Sequence, residues 1–402
     1  MKMSEKASSG YSGPKIRSDC MVTYESTGEK LTVSVSGEGS PGPLEEGIRH
    51  TAARMGLKAG AVTVEDCGAA PFVAAARFEA SVRKVLGDGF PKPPSFGEVK
   101  ASDRDRPRRS RLYIPGNMPR FIEKSLDSQA DGIILDLEDS VSPDRKFEAR
   151  IMVAHALAGM DFGDMEVMVR INQGHTGEDD LEWIVSQPVQ HILIPKVEIP
   201  DQVTEVRDIV HELSNRCVRV GGIWLMPIIE SPLGVFNALD IARSAPAEMA
   251  ALTLGLQDLS AEMGVSPTTE GTESFTARSL IVMAARAGGL QPIDTVFADV
   301  KDEDGLKESV RRARALGFVG KGCIHPAQVP VINQGFMPDK DSVDKARKIV
   351  MAMERAAAEG FGAIALGSKM IDPPVAKQAQ VLVDNAVRLG LISIEWRDEE
   401  EK

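Results

Sequence analysis

GGIWLMPIIES (residues 221–231) and ALTLGLQDLS (251–260) are two apolar runs that each end in a carboxylate, Glu230 and Asp258. They are the fifth and sixth of eight β-branched or apolar runs between residues 111 and 329. The others are RLYIP, GIILDL, VMVRI, HILIPKV, DTVFAD and KGCIHP. Helical patterns such as PRFIEKSLDSQA, QVTEVRDIVHELSNR and GLKESVRRARALG lie between them. Eight strand–helix repeats with short connections predict an α/β fold, a TIM (β/α)8 barrel, whose strand C-termini converge on one mouth. An open doubly wound sheet is the alternative, but no GxGxxG opens the first helix, where that fold holds phosphate. Two acids at the mouth, with few histidines nearby, suggest a hard oxygen-liganded cation, Mg2+ or Mn2+, rather than zinc.

Outward from the barrel, residues 1–13 are rich in Ser, Gly and Lys and are expected to be mobile. Residues 14–88 read as a small α+β domain. CMVTYESTGEKLTVSVS (20–36) forms two strands joined by a Gly turn, followed by a helix near 43–57, the strand AGAVTVED and the helix PFVAAARFEASVRKVLG. GFPKPPSFGEVKASDRDRPRR (89–109) shifts to Pro, Gly and charge, as a linker does, so the flanking parts are free to move independently. Its basic run RDRPRR (104–109) reads as a solvated tether. The barrel occupies 110–335, and 336–402 form a C-terminal helical arm with helices at 340–360 and 374–389. An arm beyond eight repeats has no room in the barrel core and packs outside it or on a neighbouring subunit.

The 402 residues are 43% hydrophobic and 26% charged, enough for a large core and more than one domain. The net charge of -12 argues against nucleic acid, whose phosphates need clustered Lys and Arg. Cys20, Cys67, Cys217 and Cys323 are far apart without CxxC spacing, which excludes a zinc knuckle and points to a reducing cytoplasm. MKMSEKASSGYSG has no apolar core for a signal peptide, and no run reaches membrane-spanning length.

A single strand-end acid is as readily a helix N-cap as a ligand; Glu230 and Asp258 together favour a divalent-metal site. LDLEDSV (135–141) adds Asp136, Glu138 and Asp139, which repel one another unless a cation or arginine sits among them. Asp139 reads as a helix cap, and Glu138 as a partner of metal-bound water or of Arg170. Arg170 closes a nearly all-apolar strand and needs an anion. In LYIPGNMPR (112–120), backbone N–H groups at the Pro115–Gly116 turn are suited to an anionic or adenine-bearing ligand, with Arg120 and Lys124 nearby. His325 reads as a hydrogen-bonded rim residue as readily as a base, and Lys196 as a charge at the mouth without a companion. Asp372, before Pro-Pro, reads as an N-cap.

RSRLYIPGN, GIILDLEDSVSPDRKFEAR, VRIN, LIPKVE, IIESPLGV, GLQDLSAEMG, TEGTESFTARS, IDTVFADVKDEDG, LGFVGKGCIHPAQ and GSKMIDPPVAKQAQ, in order over 110–390, resemble the citrate lyase β-subunit family, which includes malyl-CoA and citramalyl-CoA lyases. The resemblance implies a TIM barrel assembled as a homotrimer or homohexamer, with other citrate lyase-type subunits as further partners. It makes Glu230 and Asp258 the Mg2+ ligands, and Arg170 the contact to keto acid and thioester. It makes Asp372 the acid/base group, supplied by an adjacent subunit, and puts Tyr113 and Lys124 where the family contacts coenzyme A. Met118 stands where some malyl-CoA lyases carry arginine. The implied reaction is retro-Claisen cleavage of a 3-hydroxyacyl-CoA (citryl-, citramalyl- or malyl-CoA) to acetyl-CoA and a 2-keto acid, with CoA part of the substrate. Residues 14–88 resemble the citrate lyase γ-subunit, an acyl carrier. The place of its modified serine is taken by Arg17, with Ser18 adjacent. Either Ser18 serves through a one-residue shift or the carrier role is lost; the second reading leaves the domain to mediate assembly or cover the barrel mouth. The alternatives are action on a carrier-bound citryl thioester, a non-catalytic assembly subunit, or a metal-dependent aldolase acting on free keto acids.

Overall fold

The computed structural model describes residues 5–93, 99, 102–217, 219, 221–268, 270–366 and 369–397. The N-terminal unit contains β1 (Lys6–Gly10), β2 (Asp19–Lys30), β3 (Thr32–Gly37), α1 (Pro41–Arg54), β4 (Ala59–Cys67) and α2 (Pro71–Leu86). Its sheet runs β1-β2-β4-β3. Two expectations change here. Residues 6–10, assigned to a mobile N-terminus, are a strand antiparallel to β2. KASSG has too little apolar character to signal a strand; the backbone ladder holds it. The two strands of 20–36 are not a hairpin: β2 pairs antiparallel and β3 parallel with β4, which lies between them.

Eight parallel strands then close a barrel in chain order: β5 (Ser110–Pro115), β6 (Gly132–Asp136), β7 (Glu166–Arg170), β8 (His191–Ile194), β9 (Trp224–Ile229), β10 (Ala251–Leu254), β11 (Gln291–Asp294) and β12 (Gly320–Cys323). The helices between and after them are α3 (Pro119–Lys124), α4 (Lys146–Gly159), α5 (Gly174–Ile184), α6 (Pro200–Arg216), α7 (Pro232–Phe236), α8 (Ala238–Ala242), α9 (Leu256–Glu262), α10 (Phe275–Ala287), α11 (Glu303–Leu316) and α12 (Gln328–Phe336). Local chemistry marks the boundaries. Proline pre-sets the first turn of α3, α6 and α7, and Gly317, at φ 105°, stops α11 in the left-handed conformation. Ile134, Met168, Leu193, Met226, Ile228, Ala251 and Ile293 fill the barrel interior. The seventh strand lies upstream of its expected position. QPID pairs with its neighbours, whereas Thr295 and Val296 of the β-branched DTVFAD run turn out into the mouth.

The basic run is no solvated tether. Arg108 is buried and forks onto Glu166 at 2.7 and 2.8 Å, while the His191 imidazole lies 2.9 Å from Glu166 and 3.0 Å from Arg108. These groups plug the N-terminal end of the barrel, because Glu166 and His191 open their strands. Arg104 donates to the Met249 carbonyl and Arg106 to that of Asp164. Residues 94–98, 100 and 101 of the expected linker lie outside the described residues.

Nor do the two units present separate surfaces. α2 packs on α4, and one apolar cluster runs through both. Arg77 of α2, almost fully buried, pairs with Asp19 at 2.9 and 3.0 Å and with Glu148 of α4 at 3.2 Å. Glu79 accepts from Arg54, from Arg83 at 2.6 Å and from His155 of α4 at 2.7 Å. Buried charges of this kind are tolerated only when fully paired. The carrier-like unit is thereby fastened to the side of the barrel.

The C-terminal arm has its own core of Val350, Val383 and Trp396 between α13 (Lys340–Ala358) and α14 (Pro373–Arg388). A hairpin, β13 (Ile364–Leu366) with β14 (Lys369–Ile371), joins them where sequence suggested only a connection. Among the described residues no helix is long and apolar enough to cross a membrane.

Candidate active site

Side chains at the strand C-termini enclose a cavity of about 220 Å³, whose lining includes Tyr113, Asp136, Arg170, Glu230 and Asp258. Glu230 is buried just past β9. Capping is not its task, because Ser231 accepts from the Gly234 N–H at 3.1 Å and caps α7 itself. One Glu230 oxygen, Oε1, accepts from the Lys196 backbone N–H at 2.6 Å. Lys196 adopts φ 51°, rare for a residue with a side chain, and this turns its N–H toward the mouth. The other oxygen rests against Gly255, where a Cβ would lie 2.4 Å from Oε2. Asp258 stands in the first turn of α9, whose cap position is Gly255, so it too is free of capping.

Burial, and then the charges of Asp258 and Glu138, push the Glu230 carboxyl up to about 8 despite the Lys196 N–H and Arg170. Two carboxylates thus face one cavity at mutual electrostatic cost, a placement suited to a cation. Among the described residues, no group of three or more His, Cys, Asp or Glu could hold a metal ion. A cation held here by Glu230 and Asp258 would keep most of its coordination positions for water or ligand oxygens, as Mg2+ sites do.

Arg170 closes β7 level with Asp136 of β6. Its guanidinium forks onto Asp136 at 2.6 and 2.7 Å and reaches Glu138 at 2.9 Å and Asp139 at 3.7 Å. Burial alone would favour the neutral form, but the Asp136 bond and charge hold Arg170 protonated. The Tyr113 ring lies 5.4 Å from the guanidinium. Glu138 was expected as the main partner; it is the second, after Asp136, and bridges to the Lys196 ammonium at 2.7 Å. Asp139, expected as a cap, instead pairs with Lys196 at 3.2 Å, while Ser142 occupies the cap position of the next helical turn.

Other candidates fall outside the cavity. The Gly116 N–H donates to the Asp136 carbonyl at 2.8 Å and the Met118 N–H to that of Pro115 at 3.1 Å, so the turn uses these donors internally. Lys124, Arg120 and Met118 are exposed on and beside α3. The His325 Nδ1 accepts from the Ala327 N–H at 3.1 Å, a rim contact. Asp372 caps α14, accepting from the Val375 N–H at 3.2 Å, and does not line the mouth of its own barrel. No residue of the carrier-like unit lines the mouth either, so that unit does not cover it in this chain. Ser18 sits at φ 56° facing Glu123 of α3, while the Arg17 guanidinium folds back on the Pro14 and Ile16 carbonyls.

Lys196, read from sequence as a mouth charge without a companion, has two: it organises both Glu230 and Glu138, which lie distant in the chain. One participant escaped sequence reasoning. Arg111, one inward position below Tyr113 on β5, reaches the cavity floor; the alternation of RLY carried the signal for it.

The profile of the HpcH/HpaI aldolase/citrate lyase family matches residues 109–326, and that of the malonate decarboxylase delta subunit (an acyl carrier protein) matches 9–85. The citrate lyase subunit beta of Escherichia coli K12 is 35% identical over 291 residues, 72% of this chain and 96% of its own length. The L-malyl-CoA/beta-methylmalyl-CoA lyase of Cereibacter sphaeroides is 35% identical over 70% of this chain and 95% of its own. Among solved structures, protein CitE from Mycobacterium tuberculosis in complex with magnesium, acetoacetate and coenzyme A superposes with a TM-score of 0.58 at 29% identity, covering 71% of this chain and 99% of that one. With its barrel matched by both sequence and structure, the chain belongs to the HpcH/HpaI aldolase/citrate lyase family.

Proposed function

We propose that this chain is a Mg2+-dependent carbon–carbon lyase acting on a 3-hydroxyacyl-CoA thioester, citryl-, citramalyl- or malyl-CoA. It would yield acetyl-CoA and oxaloacetate, pyruvate or glyoxylate. The observation that carries this reading is that Glu230 and Asp258 face one cavity beside a protonated, carboxylate-held Arg170. Glu230, pushed up to about 8 by burial and like charge, sits where a hard cation fits. When bound, Mg2+ supplies a positive charge that acidifies and orients oxygen ligands.

The protein's own groups do the rest. Arg170, fixed by Asp136 and Glu138, presents a pre-oriented charge to anionic oxygen in the cavity. The hydroxyl proton passes to water at the mouth, the freed oxygen becomes the keto carbonyl as the carbon–carbon bond breaks, and that bond's electron pair passes to the thioester enolate. Asp372 delivers a proton to the enolate carbon, or removes it in condensation. Because Asp372 is remote from its own mouth, it serves a neighbouring copy in a homotrimer or homohexamer. Tyr113, Pro115, Gly116 and Lys124, along β5 and the loop to α3, are the segment proposed to meet coenzyme A. Arg17 at the carrier serine's place favours free thioesters over a carrier-bound one. An unmodified intact mass from the native host agrees with that choice; a mass addition at Ser18 contradicts it.

The deciding assay supplies purified full-length protein with Mg2+ and each thioester in turn, and measures keto acid. Metal-dependent release from at least one supports the reading; no release from any overturns it. Asp372→Asn is expected to abolish turnover and leave calorimetric Mg2+ binding intact. Loss of metal binding in that variant would remove Asp372 from the acid/base role.

A further inference from the structure

Arg111 is fully buried, and its surroundings are wrong for a structural arginine. Its Nη1 donates to the Thr253 hydroxyl at 3.1 Å and contacts the Met226 sulfur at 2.6 Å. Among the described residues its Nε and Nη2 have no hydrogen-bond partner. The neighbouring interior layer consists of Ile134, Met168, Leu193, Met226, Ile228, Ala251 and Ile293. The nearest interior acid below it, Glu166, is already taken by Arg108 and His191. The other buried arginines among the described residues, Arg77, Arg83, Arg108, Arg150 and Arg278, each pair with a carboxylate. Among the described residues Arg111 has none, and it lines the floor of the cavity that Glu230 and Asp258 line higher up.

An unpaired buried guanidinium costs several kcal/mol unless an anion completes it. Its planar fork matches a carboxylate bidentately. Coenzyme A enters from the open end of the cavity, so the group that descends to the floor belongs to the acid part of the substrate. On the lyase reading, from which this inference takes its geometry, the reacting carbon carries a hydroxyl and a carboxylate directed to the two acids. One further substituent remains: hydrogen, methyl or carboxymethyl. We propose that Arg111 is a specificity-determining residue that receives the carboxylate of this last substituent through its two free donors. It thereby selects citryl-type thioesters and dicarboxylic keto acids over their methyl and hydrogen counterparts. Thr253, held to Nη1, orients the fork.

The test has two arms that fail independently. Calorimetry on the Mg2+-loaded full chain compares fresh oxaloacetate with pyruvate. Oxaloacetate is expected to bind at least about 10-fold more tightly, and equal affinity overturns the proposal. The second arm measures kcat/KM for citryl-CoA and citramalyl-CoA in the wild type, Arg111→Met and Arg111→Lys. The citryl preference should fall on the order of 100-fold in Arg111→Met, mostly through KM, and less in Arg111→Lys, which keeps the charge but loses the fork. An Arg111→Met variant that loses both substrates equally, or neither, assigns Arg111 a structural role and overturns the proposal. Replacing an uncompensated buried cation with an apolar chain of similar length favours folding; should the variant unfold, the wild-type keto acid comparison still decides. If no thioester is cleaved, the lyase reading fails alone, and the calorimetric preference still reads the floor.

Discussion

Glu230 owes its position to two neighbours that are not ligands: the Lys196 N–H on one oxygen and the bare α-carbon of Gly255 against the other. Gly255→Ala should therefore displace the carboxylate without removing any charge. Mg2+ affinity is expected to drop roughly 10–100-fold, the range for disturbed supporting contacts, with Asp258 and Arg170 untouched; titration calorimetry reads it. Arg170→Lys keeps the charge but gives up the fork onto Asp136, and kcat/KM should fall at least about 100-fold, since this site depends on planar bidentate geometry. Much at this scale was legible. Glu230, Asp258, Arg170 and Glu138 announced themselves as polar residues ending apolar runs. Lys196 announced only its charge, because its hold on Glu230 lies in a backbone N–H turned by φ 51°, which no side-chain pattern reports. Asp136 was hidden among three acids in four residues, and only the register with β7 shows which one meets Arg170.

At the scale of elements, the α2–α4 contact carries a pH dependence. Burial would raise Glu79, but the His155 bond and the charges of His155, Arg54 and Arg83 outweigh it and hold the carboxyl at about 2, against 4.5 unperturbed. A carboxyl lowered on folding stabilises the protein above its unfolded pKa. The gain, about 3 kcal/mol, is present above pH 5 and lost as pH falls from there toward 2. Urea unfolding at pH 7, 4 and 3 should follow this slope, and Glu79→Gln should flatten it while lowering stability at pH 7. A Glu79→Gln curve parallel to the wild type would assign the acid sensitivity to other groups. Sequence patterning found most of the barrel strands, since GIILD, HILI, WLMPII and ALTL are buried on both faces and read as nearly continuous apolar runs. It misplaced β11, where β-branched residues continue past the last ladder pair into the mouth. It missed β1, whose small polar residues join the sheet by backbone alone. It also took Arg104, Arg106 and Arg108 for a tether, because their partners lie far along the chain.

At the scale of the molecule, the arm holds Asp372 away from its own cavity and exposes Phe361, Met370 and Ile394. An acid supplied across a subunit boundary predicts complementation. Asp372→Asn and Glu230→Gln chains, each inactive alone, should regain activity when co-assembled, because some sites then combine an intact mouth with an intact arm. Unmixed activities after verified co-assembly would place the acid within one chain.

The fastening of the carrier-like unit carries a kinetic consequence. Asp19, two residues beyond the place where an acyl carrier bears its arm, is spent on Arg77, which also grips Glu148 of the barrel. A tethered arm works by raising local concentration, its attached cargo making the next encounter intramolecular. On the reading that the unit bears no arm, it offers no such shuttle. Turnover at low substrate would then track the bulk level of dissolved thioester, with the fastened unit acting as a buttress.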